Sequence, residues 1–109
     1  MAVENFDVKL ENNAVKISFN AEDYLKYEIM RVENGVTKSL KKYSNKNGNI
    51  NYYDTNLKDD TKYNYYIKIS TINDSATSVS ETLSILTESK QNKINNLFNK
   101  QDNLSWLFN

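Results

Sequence analysis

The stretch Thr61-Lys62-Tyr63-Asn64-Tyr65-Tyr66-Ile67-Lys68-Ile69 decides the fold. Tyr63, Tyr65, Ile67 and Ile69 fall on one side of an extended chain, and neither glycine nor proline interrupts the run. Side chains of a strand alternate between its two faces, so this pattern predicts a strand with one face buried. β-Branched and aromatic residues pack well on such a pleated surface, and the density of apolar residues here predicts a central strand.

The same alternation spreads in both directions. Phe6, Val8 and Leu10 alternate with polar residues, Glu11-Asn12-Asn13 supplies turn chemistry, and Val15, Ile17 and Phe19 alternate again. Tyr27 and Ile29 keep the spacing until Asn34-Gly35, a dipeptide favoured in two-residue hairpins whose central residues need positive φ. A second Asn-Gly pair, Asn47-Gly48, separates the lysine-rich run Val36 to Tyr43 from the run Ile50 to Tyr53 and predicts a second turn of that kind. After Asn73-Asp74-Ser75, the run from Val79 to Thr87 ends the series. Seven strands at intervals of roughly 8–12 residues predict an all-β, seven-stranded antiparallel sandwich over residues 1–87.

From residue 88 to 109 the composition changes. Ile94, Leu97, Phe98, Leu104, Trp106, Leu107 and Phe108 stand among Asn, Lys and Gln, and the 3 and 4 spacing of the first three fits one face of a short helix. The prediction for this tail is a short helical or extended appendage.

Around the deciding strand the chain resembles the fibronectin type III family, over about residues 5–87. The segment Tyr53-Asp54-Thr55-Asn56-Leu57-Lys58-Asp59-Asp60-Thr61-Lys62-Tyr63 looks like that family's entry into strand F, with Asp ahead of a buried Leu and Thr-x-Tyr after it. The resemblance implies an immunoglobulin-like sandwich in which Tyr63 is the tyrosine-corner residue, its ring buried and its hydroxyl returning to backbone near Leu57. Tyr27-Glu28-Ile29 is similar to the family's strand C, and Thr82 to Thr87 to its strand G. The strand B position that is often Trp is Phe19, and the family's usual prolines are missing, which leaves another immunoglobulin-like topology as the alternative. The resemblance implies no enzyme, because this fold carries adhesion, spacer and accessory roles.

Composition narrows function. The 109 residues contain no His, no Cys and no Pro, and 14 basic residues balance 14 acidic ones. Without His or Cys there is no imidazole proton shuttle, no Cys-His or Ser-His nucleophile pair and no tetrahedral zinc site of the usual ligands. The expectation is a protein without enzymatic activity or cofactor. Balanced charge argues against a nucleic-acid partner, and no apolar run approaches membrane-spanning length. The N-terminus has no signal-peptide pattern. Eighteen Asn, thirteen Lys and eight Tyr suggest an AT-rich bacterial or phage genome.

Short motifs mostly have plain readings. Ser39-Leu40-Lys41-Lys42 matches Ser-x-x-Lys without the companion motifs of the enzymes that use it. Lys38, Lys41, Lys42 and Lys46 form a basic strip suited to an anionic glycan, a phosphate polymer or an acidic protein face, and lysines also keep an edge strand from aggregating. Asp54, Asp59 and Asp60 lack the alternating oxygen pattern of a calcium loop and are expected to be solvated turn acids. Asn73-Asp74-Ser75 and Asn103-Leu104-Ser105 match glycosylation acceptors. By parity Tyr27, Tyr63 and Tyr65 belong to the core, whereas Tyr24, Tyr43, Tyr52 and Tyr66 are candidates for exposure.

A sandwich complete by Thr87 has no evident use for seven further large apolar residues. Ile94, Leu97, Phe98, Leu104, Trp106, Leu107 and Phe108 are the candidate partner-binding residues, facing other protein subunits of an assembly, with packing back on their own sheet or the start of a further domain as the alternatives. The expected function is a non-catalytic decoration or accessory structural protein of a larger particle, a bacteriophage virion being the specific case. The alternative is a spacer or weak glycan-binding module of a secreted bacterial polysaccharide-degrading enzyme or surface adhesin. These place the chain in the virion or at the extracellular or cell surface, respectively.

Overall fold

The computed structural model describes residues 1–89. Eight strands run in chain order: β1 (Glu4–Glu11), β2 (Ala14–Ala21), β3 (Leu25–Glu33), β4 (Val36–Tyr43), β5 (Gly48–Asp54), β6 (Lys62–Thr71), β7 (Thr77–Val79) and β8 (Leu83–Leu86). A small sheet has the order β1-β2-β5, and a larger one has β4-β3-β6-β7 with β8 also on β6. All pairings are antiparallel. The strand over 61–69 is central in the larger sheet, as its sequence predicts.

The eighth strand is a division of the seventh. β7 pairs with Lys68–Ser70 and β8 with Lys62–Tyr65, so both lie along the same edge of β6. At the break, Ile67 N–H donates to Ser80 Oγ at 2.8 Å and Ser80 N–H donates back to the Ile67 carbonyl at 2.8 Å. A side-chain oxygen thus replaces a ladder carbonyl, and the edge strand bends without leaving Ile67 unsatisfied.

The two Asn-Gly pairs turn out differently. Asn34 (φ 49°) and Gly35 (φ 77°) form the predicted two-residue hairpin, with Glu33 opposite Val36. Asn47-Gly48 is no hairpin, because β4 and β5 lie in different sheets. The chain crosses between the sheets here, using positive φ at Asn45 (57°) and Gly48 (101°).

Val15, Ile17 and Phe19 of β2, Tyr27 and Ile29 of β3, and Tyr63, Tyr65, Ile67 and Ile69 of β6 fill the space between the sheets. Each such side chain contributes about 1.5–3 kcal/mol by leaving water. Phe19 stacks obliquely on Tyr27, ring centroids 5.2 Å apart, and meets Tyr43 edge-on at 6.0 Å.

A buried tyrosine needs a partner for its hydroxyl. Lys58 N–H donates to Tyr63 Oη at 2.9 Å, the tyrosine-corner bond expected near Leu57. Glu22 N–H donates to Tyr27 Oη at 2.8 Å. The two bonds have the same five-residue reach, and each holds a connection that switches sheets, β5 to β6 and β2 to β3.

Candidate functional site

The end of the sandwich where β8 finishes carries the densest polar chemistry. Arg31 Nη1 of β3 donates to both carboxylate oxygens of Asp54 at the end of β5, each at 2.9 Å. Tyr65 Oη of β6 donates to Asp54 Oδ2 at 2.8 Å. The Arg31 guanidinium also lies over the Tyr63 ring, 5.3 Å from its centroid. The expectation of a solvated Asp54 is therefore wrong: it is 4% exposed, whereas Asp59 and Asp60 are exposed. Asp54 is in phase with inward-facing Ile50 and Tyr52, and Arg31 with Tyr27 and Ile29. That phase was the available signal for a charge pair between the sheets.

Electrostatics follow from burial. Desolvation opposes the Arg31 charge, but the hydrogen bond and negative charge of Asp54 together outweigh it, so its pKa lies above the usual arginine value. Burial and then the bond to Asp54 push the Tyr65 hydroxyl well above the ordinary tyrosine range. Three hydrogen bonds on its carboxylate, two from Arg31 Nη1 of the larger sheet and one from Tyr65, make Asp54 a link between the two sheets. Among the described residues, no three acidic side chains converge to hold a metal ion.

Next to this network the last strand is tied down. Thr87 is 6% exposed; its Oγ1 accepts Thr61 N–H at 2.9 Å and donates to the Lys58 carbonyl at 2.6 Å. Thr87 N–H reaches the Thr61 carbonyl at 3.0 Å, and Asp60 N–H the Glu88 carbonyl at 3.2 Å. The chain thus reaches Ser89 from a fixed point. The candidate partner-binding residues Ile94, Leu97, Phe98, Leu104, Trp106, Leu107 and Phe108 lie outside the described residues, as does the Asn103 acceptor.

The lysine strip is on the edge strand β4 and the link that follows, and Lys38, Lys41, Lys42 and Lys46 are all exposed. They do not form one row. Lys38 lies opposite Arg31, Lys41 reaches over the Tyr43 ring at 6.0 Å, and Lys42 lies opposite Glu28, whose other neighbour is Lys68. Ser39 and Lys42, the Ser-x-x-Lys pair, sit on the same exposed edge. The Asn73 acceptor is in the exposed turn after β6.

Parity sorts most tyrosines correctly. Tyr27, Tyr63 and Tyr65 are buried and Tyr24 is 63% exposed, while Tyr43, Tyr52 and Tyr66 are only partly exposed. Tyr53, at 50%, is the exposed aromatic of the small sheet.

No family model and no curated protein matches the chain. Solved structures do. The chicken interferon gamma receptor alpha chain superposes with a TM-score of 0.64 at 10% identity, over 80% of this chain and 51% of the receptor chain. The fold is a fibronectin type III-like sandwich. A myokine superposes with a TM-score of 0.57 at 22% identity, over 80% of this chain and 96% of its own. The Erwinia chrysanthemi pectate lyase PelI, in complex with tetragalacturonic acid, gives 0.62 at 11% identity, over 77% of this chain. This chain spans about half of the receptor chain, 51%, and 28% of the lyase. At these identities the likeness concerns the fold.

Proposed function

We propose that this chain is a non-catalytic structural module, a decoration or accessory component of a larger particle such as a bacteriophage virion, which docks on another subunit through residues 90–109. The observation that carries this reading is that residues 1–89 close their own core. Among the described residues every buried apolar side chain is supplied by β2, β3 or β6, and Thr87 seals the last strand. In this reading the seven large apolar side chains beyond residue 90 meet the partner, and the latched Thr87 is the fixed point from which the chain continues towards it.

The test compares the full chain with a chain ending at Ser89, each expressed with an affinity tag in the source organism. The full chain should co-sediment with a large assembly, and the shortened chain should fold but remain free. Retention of the shortened chain in the assembly would overturn the proposal.

A second reading, a spacer or weak glycan-binding module of a secreted polysaccharide-degrading enzyme or adhesin, draws on the pectate lyases, in which this fold corresponds to 28% of the chain. The exposed rings of Tyr24 and Tyr53 would then be the sugar-stacking candidates. Titration with polygalacturonate should quench tyrosine fluorescence if this reading holds, and a flat response counts against it.

A further inference from the structure

The sandwich has an open flank where residues of β4 and β5, edge strands of different sheets, line one groove. This groove, of about 280 Å³, is lined by Lys38, Ser39 and Leu40 of β4, Tyr52 and Asp54 of β5, and Arg31 of β3. The two edges are built differently. β4 carries Lys38, Lys41 and Lys42 and has a register shift between Ile29 and Met30 of its partner that leaves Leu40 as the extra residue. Charge and a bulge are both devices that stop an edge from recruiting another strand. β5 has neither. Gly48 to Asp54 pairs with β2 residue for residue, without a shift, and its sole charge, Asp54, is engaged by Arg31. Among the described residues no strand pairs with its outer edge.

Outside the Arg31–Asp54 pair, charge around the groove has one sign. From Asn34 to Tyr53 the sequence has four lysines and no acidic residue, although the whole chain balances 14 basic against 14 acidic groups. Among the described residues none of Lys38, Lys41, Lys42 and Lys46 is in an ion pair, and the nearest carboxylate in register is Glu28, opposite Lys42. Edge protection accounts for the lysines of β4 but leaves the regular, uncharged edge of β5 unexplained.

We propose that the free edge of β5 receives an extended acidic segment of a partner protein as a fourth strand of the small sheet. Backbone hydrogen bonds to β5 supply the pairing. Alternate side chains of the added strand enter the groove, where partly buried Leu40 and Tyr52 provide an apolar floor and Lys38, with Lys41 beside it on β4, meets carboxylates. A second copy of this chain is disfavoured as occupant, because joining two β5 edges brings two sets of β4 lysines towards each other. This surface is separate from the docking role of residues 90–109.

The test uses the isotopically labelled full chain and two synthetic eight-residue peptides, one alternating valine with glutamate and one alternating valine with lysine. The glutamate peptide should shift and protect the amides of residues 48–54, with affinity that falls as salt is added. The double charge reversal Lys38→Glu/Lys41→Glu, both exposed positions, should weaken binding by about tenfold or more and leave the fold intact. Equal binding of both peptides, or shifts confined to other strands, would overturn the proposal. So would protection of the β5 amides before any peptide is added: if it depends on protein concentration the occupant is a second copy, and if it does not the occupant is residues 90–109.

Discussion

At one end of the sandwich the chain passes from β2 to β3, and two hydrogen bonds, Glu22 N–H to Tyr27 Oη and Leu25 N–H to the Glu22 carbonyl, hold the crossing. At the opposite end it passes from β5 to β6, and the equivalent bond to Tyr63 is joined by the Arg31–Asp54 pair, the Tyr65 hydroxyl and the Thr87 latch. Both crossings meet the same requirement, that a buried phenol and a turn N–H satisfy each other. Only the second fastens the two sheets and the final strand together. That is the end from which the chain continues past Ser89, so the most heavily tied region is also the one that would bear any load from a partner docked on residues 90–109.

Removing Asp54 should give the largest effect on this comparison. Asp54→Ala leaves Arg31 with a charge in a largely buried site, and the loss should be about 3–5 kcal/mol in urea unfolding. Replacing the pair together, Arg31→Met with Asp54→Leu, should recover most of that loss, because well-packed apolar residues can substitute for a buried ion pair. A small loss for Asp54→Ala would mean that the richly bonded end is no more firmly held than the other.

The corners themselves come next. Tyr63→Phe and Tyr27→Phe each remove one acceptor from a turn N–H and keep the ring, so each should cost about 1 kcal/mol. Near-equal values in thermal or urea denaturation would show that the two ends differ through the ion pair and the latch. A Tyr63→Phe loss several times that of Tyr27→Phe would place the difference in the corner.

How much of this was legible differs by residue. The core face of β6, the Tyr63 corner and the Asn34-Gly35 hairpin follow from period-2 alternation and from the φ that Asn-Gly favours, both local properties. Asn47-Gly48 has the same local property, but a positive φ does not say which sheet the next strand joins, and that choice rests on distant packing. For Asp54 turn chemistry points to solvent, whereas its phase with Ile50 and Tyr52 points inward, and the phase is what the fold follows. The partner of Asp54, 23 residues earlier in sequence, becomes a neighbour only once the sheets face each other. The break in the last strand was hidden because Ser80 fits an alternating pattern whether its hydroxyl faces water or, as here, accepts a ladder N–H. The tail residues, by contrast, stood out by composition alone.

Alkaline pH separates the two ends by the direction of their hydrogen bonds. Desolvation raises the pKa of both Tyr27 and Tyr65, but Tyr27 accepts a backbone N–H, which favours phenolate, whereas Tyr65 donates to a carboxylate, which opposes it. In the unfolded chain tyrosines ionise near pH 10. Above that pH the folded state holds more protons than the unfolded state, so this contribution to stability is complete below about pH 10 and falls as the pH rises past it. Urea midpoints measured between pH 8 and about 11.5 should decline at the alkaline end, less steeply for Tyr65→Phe than for the native chain. Parallel declines would assign the alkaline sensitivity to groups other than Tyr65.

The smallest effect should come from the exposed ion pair at the tied end, Lys58 Nζ to Glu33 Oε2 at 3.0 Å. Lys58 already contributes what matters through its backbone, donating N–H to Tyr63 and accepting from Thr87. Its ammonium is solvent-exposed, so screening and side-chain entropy offset the attraction to Glu33. Lys58→Ala should therefore leave the unfolding curve unchanged within error at physiological salt, and Lys58→Pro, which removes the N–H, should destabilise as Tyr63→Phe does or more. If the alanine variant alone were clearly less stable, the tied end would depend on its surface charge as well as on the buried groups beneath it.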